Sequence, residues 1–175
     1  MTKKQQSLVK ELITLLPEEQ KNIYIQIVDH FTEIGYIPQK QKVKDFIILF
    51  RHKVNGKVIA KIGIRKQNAF ISIRFFACKS ISQKYIDALR NELDSRNGQY
   101  SSPLRVNPID MITNQCDYCG VCTGGGLGYY YKYSDGKEVS RCGAYPIIIP
   151  DINESDVDEM KKVILEQHNY FLSIA

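Results

Sequence analysis

The chain has 175 residues, 43% hydrophobic and 25% charged, with a formal net charge of +5. Those values suit one globular domain with a full core and exclude extended disorder, collagen-like repeats and fibrous coiled coil. There is no run of eighteen apolar residues and no apolar leader after Met1-Thr2-Lys3-Lys4, so a cytoplasmic protein that does not span a membrane is expected.

Ser7 to Leu16 carries Leu8, Val9, Leu12, Leu15 and Leu16 at helical spacing. Pro17-Glu18-Glu19 then reads as the first turn of a second helix, since proline lacks the N–H that a first turn leaves unused and acids suit the positive helix end. In that helix Ile23, Ile27, Phe31 and Ile34 form a stripe, Tyr24 and Val28 lie beside it, and Gly35 supplies the stop. His30 borders the stripe and is expected to be a boundary or core residue rather than a ligand, because no second metal-type residue lies at helical reach.

From Lys44 the period changes to two. Phe46-Ile47-Ile48-Leu49-Phe50 leads to Asn55-Gly56, the dipeptide best suited to a two-residue hairpin turn. Such a turn would pair Ile47 with Ile64, Leu49 with Ile62, Arg51 with Ala60 and Lys53 with Val58. A third strand, Ala69 to Ala77, offers Ile71, Ile73 and Phe75 to one face. The other face would then interleave Phe46, Phe50 and His52 with Lys61, Arg65 and Arg74. Phe46, Phe50, Lys61 and Arg74 are therefore ligand-binding candidates on a sheet that could stack bases or line a cleft for an anionic aromatic molecule. A partly covered sheet with Lys and Arg stems lying over its rings is the simpler expectation. Cys78, which follows this strand, is expected to be a small buried residue.

Ser80 to Arg96 reads as a helix through Ile81, Tyr85, Ala88, Leu89 and Leu93, and Asn97-Gly98 ends it. Residues 1–98 thus form a helical and three-stranded meander part, 99–150 a cysteine-rich insertion, and 151–175 a closing helix within a single domain. A β-rich run spans Tyr145 to Pro150. The last helix starts near Asn153 or Ser155, with Val157, Met160, Ile164 and Phe171 as its buried stripe and His168 as a packing neighbour.

Four of the five cysteines lie between positions 116 and 142, in a chain whose expected compartment discourages disulfides. Cys116, Cys119 and Cys122 have two-residue spacing and Cys142 stands apart. Four thiolates close a tetrahedral zinc site; three local cysteines and one remote cysteine can also hold a 4Fe-4S cluster. Zinc is the expected metal, because Cys119-Gly120 resembles a knuckle turn and Cys142 is followed by Gly143 rather than proline. Between the cysteines, residues 129–133 and 138–142 form two β-prone stretches around Asp135-Gly136. A two-residue turn there would set Cys142 opposite Tyr129 and bring the four thiols together. That register would put Tyr129, Tyr131 and Tyr133 on the face of Cys142 and Tyr130 on the other face; Tyr130 and Tyr131 complete the ligand-binding candidates. Thr123-Gly124-Gly125-Gly126-Leu127-Gly128 lacks the Gly-Lys-Ser/Thr ending and the following helix of a phosphate loop, so it is not read as one.

The first 76 residues carry 14 Lys and Arg against 6 Asp and Glu, and the remainder 10 against 13. The lysines of the basic half are dispersed and are expected to be solvated. No nucleophile elbow and no His-Glu-x-x-His motif occurs, and the three histidines are far apart, so a non-enzymatic role is favoured.

Lys44-Asp45-Phe46, Gly56-Lys57-Val58-Ile59 and Phe70-Ile71-Ser72-Ile73 give the stretch 23–93 a pattern that resembles the small α+β domains of unknown function common in bacteria. The cysteine-rich part resembles zinc-ribbon-like inserts. These resemblances imply an α+β fold, an antiparallel meander sheet with flanking helices and a cysteine-rich metal-binding hairpin. The expected function is a zinc-stabilised binding module for a small molecule or protein. An iron–sulfur redox or redox-sensing protein and a nucleic-acid binder using the basic aromatic sheet face are the alternatives.

Overall fold

The structure is a computed structural model that describes residues 1–65, 68–75, 82, 84–85, 87–88, 112–115, 127–132, 138–142, 146–149 and 151–173. Helix α1 (Lys3–Leu15) begins earlier than its apolar spacing suggests, because Thr2 and Gln5 form a reciprocal capping box: Gln5 N donates to Thr2 Oγ1 at 3.3 Å and Thr2 N donates to Gln5 Oε1 at 2.8 Å. Helix α2 (Glu18–Glu33) follows, and it buries Ile23, Tyr24, Ile27, Val28 and Phe31. That stripe is the one its sequence spacing demands. Gly35 then turns the chain at φ +91°, a conformation that costs a side chain with a Cβ.

Five antiparallel strands form the main sheet in the order β1 (Tyr36–Lys40), β2 (Phe46–His52), β3 (Val58–Arg65), β4 (Asn68–Ile73) and β8 (Ile147–Ile149). The fold is α+β, and the expected three-stranded meander is extended by a strand at each edge. Strand β1 escapes the sequence pattern because Pro38 interrupts it. An edge strand tolerates proline, since one side of its backbone has no neighbour to satisfy.

The β2–β3 register corrects the expected one. Ile47 pairs with Gly63, Ile48 with Ile62 and Phe50 with Ala60, and a bulge follows between Phe50 and Arg51. The turn is longer than two residues: Gly56 N donates to His52 O at 3.1 Å and His52 N donates to Lys57 O at 2.8 Å. A one-residue slip exchanges the two faces of a strand relative to its neighbour. Cross-strand rows Ile48–Ile62–Ile71–Ile149 and Phe50–Ala60–Ile73–Ile147 therefore make one apolar face. Every member of these rows is buried in the core that α1, α2 and the last helix share with the sheet.

Lys84, Tyr85, Asp87 and Ala88 are helical, with Tyr85 and Ala88 buried as their spacing predicts, whereas Ser82 is not helical; the remaining residues of that expected helix and Cys78 lie outside the described residues. Asn153 caps a short 3-10 turn at 154–156 that runs into α3 (Val157–Ser173). Helix α3 buries the expected Val157, Met160, Ile164 and Phe171 together with Val163 and Gln167. It runs alongside α2, where Glu154 Oε1 accepts from Asn22 and Gln26 side chains at 3.2 and 2.9 Å. Among the described residues no helix is long and apolar enough to cross a membrane.

A second, three-stranded antiparallel sheet has the order β5 (Ile112–Gln115), β6 (Leu127–Lys132) and β7 (Glu138–Cys142). Here too the expected register is corrected by one residue. Gly128 pairs with Cys142, Tyr130 with Ser140 and Lys132 with Glu138. This even-sum pairing differs from the odd-sum pairing that a two-residue turn at Asp135-Gly136 would set. Residues 133–137 themselves lie outside the described set. Position 130, not 129 or 131, falls in the cross-strand row set of Cys142.

Candidate functional site

The sequence candidates on the main sheet do not share a face. Phe50 is fully buried, and its ring stacks on Phe31 at 4.5 Å between centroids with a 25° interplanar angle. Phe46 lies four residues earlier on the same face, under Lys40, whose Nζ is 4.4 Å from the ring centre. Lys61 pairs with Leu49 and Ser72 and so belongs to the opposite face. Arg74 lies just beyond β4, where its N donates to Ile59 O at 2.9 Å. The interleaved aromatic–cation face is thus corrected: it assumed an odd-sum pairing, and the even-sum pairing sends the rings of β2 to the core.

Cys116, Cys119 and Cys122 lie outside the described residues, and Cys142 ends β7. The described strands nevertheless constrain where the chain must go. Gln115, the last residue of β5, pairs with Leu127, the first of β6, and the next residue, Gly128, pairs with Cys142. Gln115 and Leu127 therefore stand at the end of the sheet where β7 finishes. Adjacent strands are ~4.8 Å apart, so β5 and β7 are separated by about 10 Å at that end. The donor chemistry, four thiols with knuckle-like spacing, fits zinc. Tyr130 and Tyr131 are consecutive in β6 and hence alternate between its two sides.

A feature with no local sequence signal appears where α2, β2 and α3 end and β1 begins. Tyr36 pairs with His52 across β1 and β2, with ring centroids 5.0 Å apart. His168 of α3 lies 5.5 Å from His52 and 5.7 Å from Tyr36, again between centroids. His30, in the last turn of α2, places Nε2 3.1 Å from the Lys161 carbonyl of α3. Gly35 suits this place through its φ of +91°, and a Cβ there would stand 3.2 Å from His52 Nε2.

Burial is the principal cause that holds His168 below the ordinary imidazole value, with smaller contributions from the charges of His52 and His30. Burial also lowers His30, against opposing contributions from the Lys161 carbonyl and Glu33. Tyr36 is pushed well above the usual phenol value by burial. Its Oη and His168 Nδ1 are buried with no hydrogen-bond partner among the described residues. For His30 and His168 the neutral imidazole, and for Tyr36 the un-ionised phenol, are the forms this setting favours at neutral pH. Among the described residues no group of three His, Cys, Asp or Glu side chains is placed to hold a metal ion. The histidines are 22 and 116 residues apart in the chain, so only the tertiary fold could reveal their meeting. His30 and His168 act as packing residues, as expected.

The basic half is also more concentrated in space than in sequence. Lys4 of α1 and Lys40, Lys42 and Lys44 at the end of β1 and in its link to β2 border one open cleft. Comparison with family models, curated proteins and solved structures finds no match for the chain.

Proposed function

We propose that the chain is a zinc-stabilised binding module. Cys116, Cys119, Cys122 and Cys142 would hold the ion and brace the three-stranded sheet. The observation that supports this reading is the return of the backbone: Gln115, Leu127, Gly128 and Cys142 are neighbours at one end of that sheet. Four cysteine ligands leave zinc no open coordination position, so its work is structural rather than hydrolytic. Ions held this way contribute directly to folding. Thiolates kept free for a metal call for a reducing compartment, which agrees with a cytoplasmic location. The absence of a recognisable catalytic motif in the sequence leaves recognition of a protein or small molecule as the role that the remaining surface serves.

Elemental analysis of the purified full chain tests the proposal. One equivalent of zinc in a colourless sample is expected, and Cys119→Ser should lose the metal and melt at lower temperature. A brown sample containing iron would replace zinc with a cluster and the structural role with a redox one. A Cys119→Ser variant that melts like the parent and keeps its metal would exclude these ligands.

A further inference from the structure

Helix α1 and the link from β1 to β2 enclose a cleft of about 1170 Å³, larger than the ~300–1,000 Å³ usual for small-molecule pockets. Its rim carries Lys4, Lys40, Lys42 and Lys44 against a single acid, Glu11. Glu11 is engaged with Lys40 at 3.2 Å, both about half exposed, so it offsets one of the four cations. Asp45, the nearest acid in sequence beyond the cleft, is drawn away to Arg65 at 3.1 Å. Lys4, Lys42 and Lys44 are exposed and make no ion pair among the described residues. The first turn of α1 contains no acid, so the positive end of its dipole adds to the lysines instead of being neutralised. Like charges gathered at one cleft raise the local potential and attract anionic partners.

The inner wall differs from the rim. Leu8 is half-buried, Pro38 is buried, and Val43 stays 49% exposed. Gln41 lines the same wall, and its Oε1 is buried without a partner among the described residues. Among the described residues no aromatic side chain and no arginine lines the cleft, and these are the groups that stack bases or grip phosphates bidentately. A lysine rim around an apolar, amide-bearing wall suits a peptide better than a nucleic-acid strand.

The geometry points to an acidic segment of a protein partner as the occupant of this cleft, with carboxylates facing Lys4, Lys42 and Lys44 and an apolar side chain against Leu8, Pro38 and Val43. This deepens the binding-module reading and rests on it, though not on zinc.

Fluorescence anisotropy with the full chain provides the test, using a short labelled peptide of mixed glutamate and leucine, a glutamate-only peptide of equal charge, and oligothymidylate. The mixed peptide should bind most tightly and lose affinity as salt is raised. The double variant Lys42→Glu/Lys44→Glu should weaken binding by about tenfold or more at low salt, since both reversed charges lie on the rim. Val43→Ser should weaken the mixed peptide but not the glutamate-only one. Tighter binding of oligothymidylate would overturn the proposal in favour of a nucleic acid. Absence of binding by the mixed peptide, or equal affinity for parent and charge-reversed chains, would overturn it outright. Metal analysis and melting of the same samples keep the two proposals separate: a variant that loses the peptide but retains zinc and stability bears on the cleft alone. Peptide binding by a chain without zinc would refute only the metal assignment.

Discussion

Gly63 sits in β3, between β2 and β4, where it pairs with Ile47 on one side and Phe70 on the other. A Cβ placed there would stand 2.4 Å from the Phe46 carbonyl oxygen and 3.0 Å from Ile47 Cα. Ordinary carbon–oxygen approach is ~3.3 Å or more, so the first contact is short by about 1 Å. The obstruction is main chain, and no rotamer change can relieve it; β2 and β3 must separate locally. Inserting one carbon into a packed interior costs about 1–3 kcal/mol, and a backbone clash argues for the upper end. Alanine recovers about 0.5–1 kcal/mol through its lower unfolded-chain entropy. The steric cost wins, and Gly63→Ala is expected to destabilise by about 2 kcal/mol. For a chain of this size that is a fall in Tm of roughly 4–8 °C. Equilibrium urea unfolding should show a lower midpoint with an unchanged slope. Gly56→Asn supplies a control. Gly56 has φ +68° and only open space nearby, the nearest side-chain atom being 3.9 Å away, and asparagine tolerates that backbone, so a change within about 0.5 kcal/mol is expected. A Gly63→Ala protein as stable as the parent would refute the β2–β3 pairing that brings Ile47 against Gly63.

Phe50→Ala should destabilise by about 3–5 kcal/mol, because the ring is wholly buried and stacked on Phe31; a loss below about 1 kcal/mol in urea unfolding would contradict its place in the core. Lys84 Nζ donates to the Asp151 carbonyl at 2.7 Å and to Asp156 Oδ2 in a largely buried ion pair, so Lys84→Met should cost about 1–3 kcal/mol, with no change in melting as the opposing result. Acidification should weaken the fold. His30 and His168 titrate below their ordinary value of 6.5 when folded, so the unfolded chain takes up protons first. Their contribution is complete above pH ~6.5 and declines as the pH falls toward the depressed folded-state values. Urea midpoints measured across this range should fall with pH, and His168→Gln should reduce the slope; a midpoint that rises on acidification would refute the neutral-histidine assignment.

Much of the fold is legible without coordinates because its signals are local. Apolar stripes at 3.6-residue spacing mark Ile23 to Phe31 and Val157 to Phe171, and both are the faces buried in the structure. β-rich runs mark β2, β3, β4 and β8. Cysteine spacing alone nominates the proposed metal site, since three of the four cysteines are close together in the chain. Other features depend on how elements meet. Strand β1 has no period to display, and its Pro38 becomes acceptable only at a sheet edge. Tyr36, His52 and His168 assemble because the end of α3 returns to the start of β1, a relation that no window of sequence contains.

Register shows the boundary between the two kinds of information most sharply. Asn55-Gly56 and Asp135-Gly136 each favour a two-residue turn, yet both hairpins adopt the even-sum pairing. In the first, a longer turn and the bulge at Phe50/Arg51 let Phe46, Ile48 and Phe50 join Ala60, Ile62, Ile71 and Ile73 on the helix-covered face. Alternation along one strand identifies two sides but not which side is covered. The amino-acid sequence by itself determined helices α1, α2 and α3 and strands β2, β3, β4 and β8, because propensity and periodicity act over a few residues. Tertiary structure alone decided which side of each strand is buried, because that choice depends on the apolar area the whole sheet can remove from water beneath α1, α2 and α3.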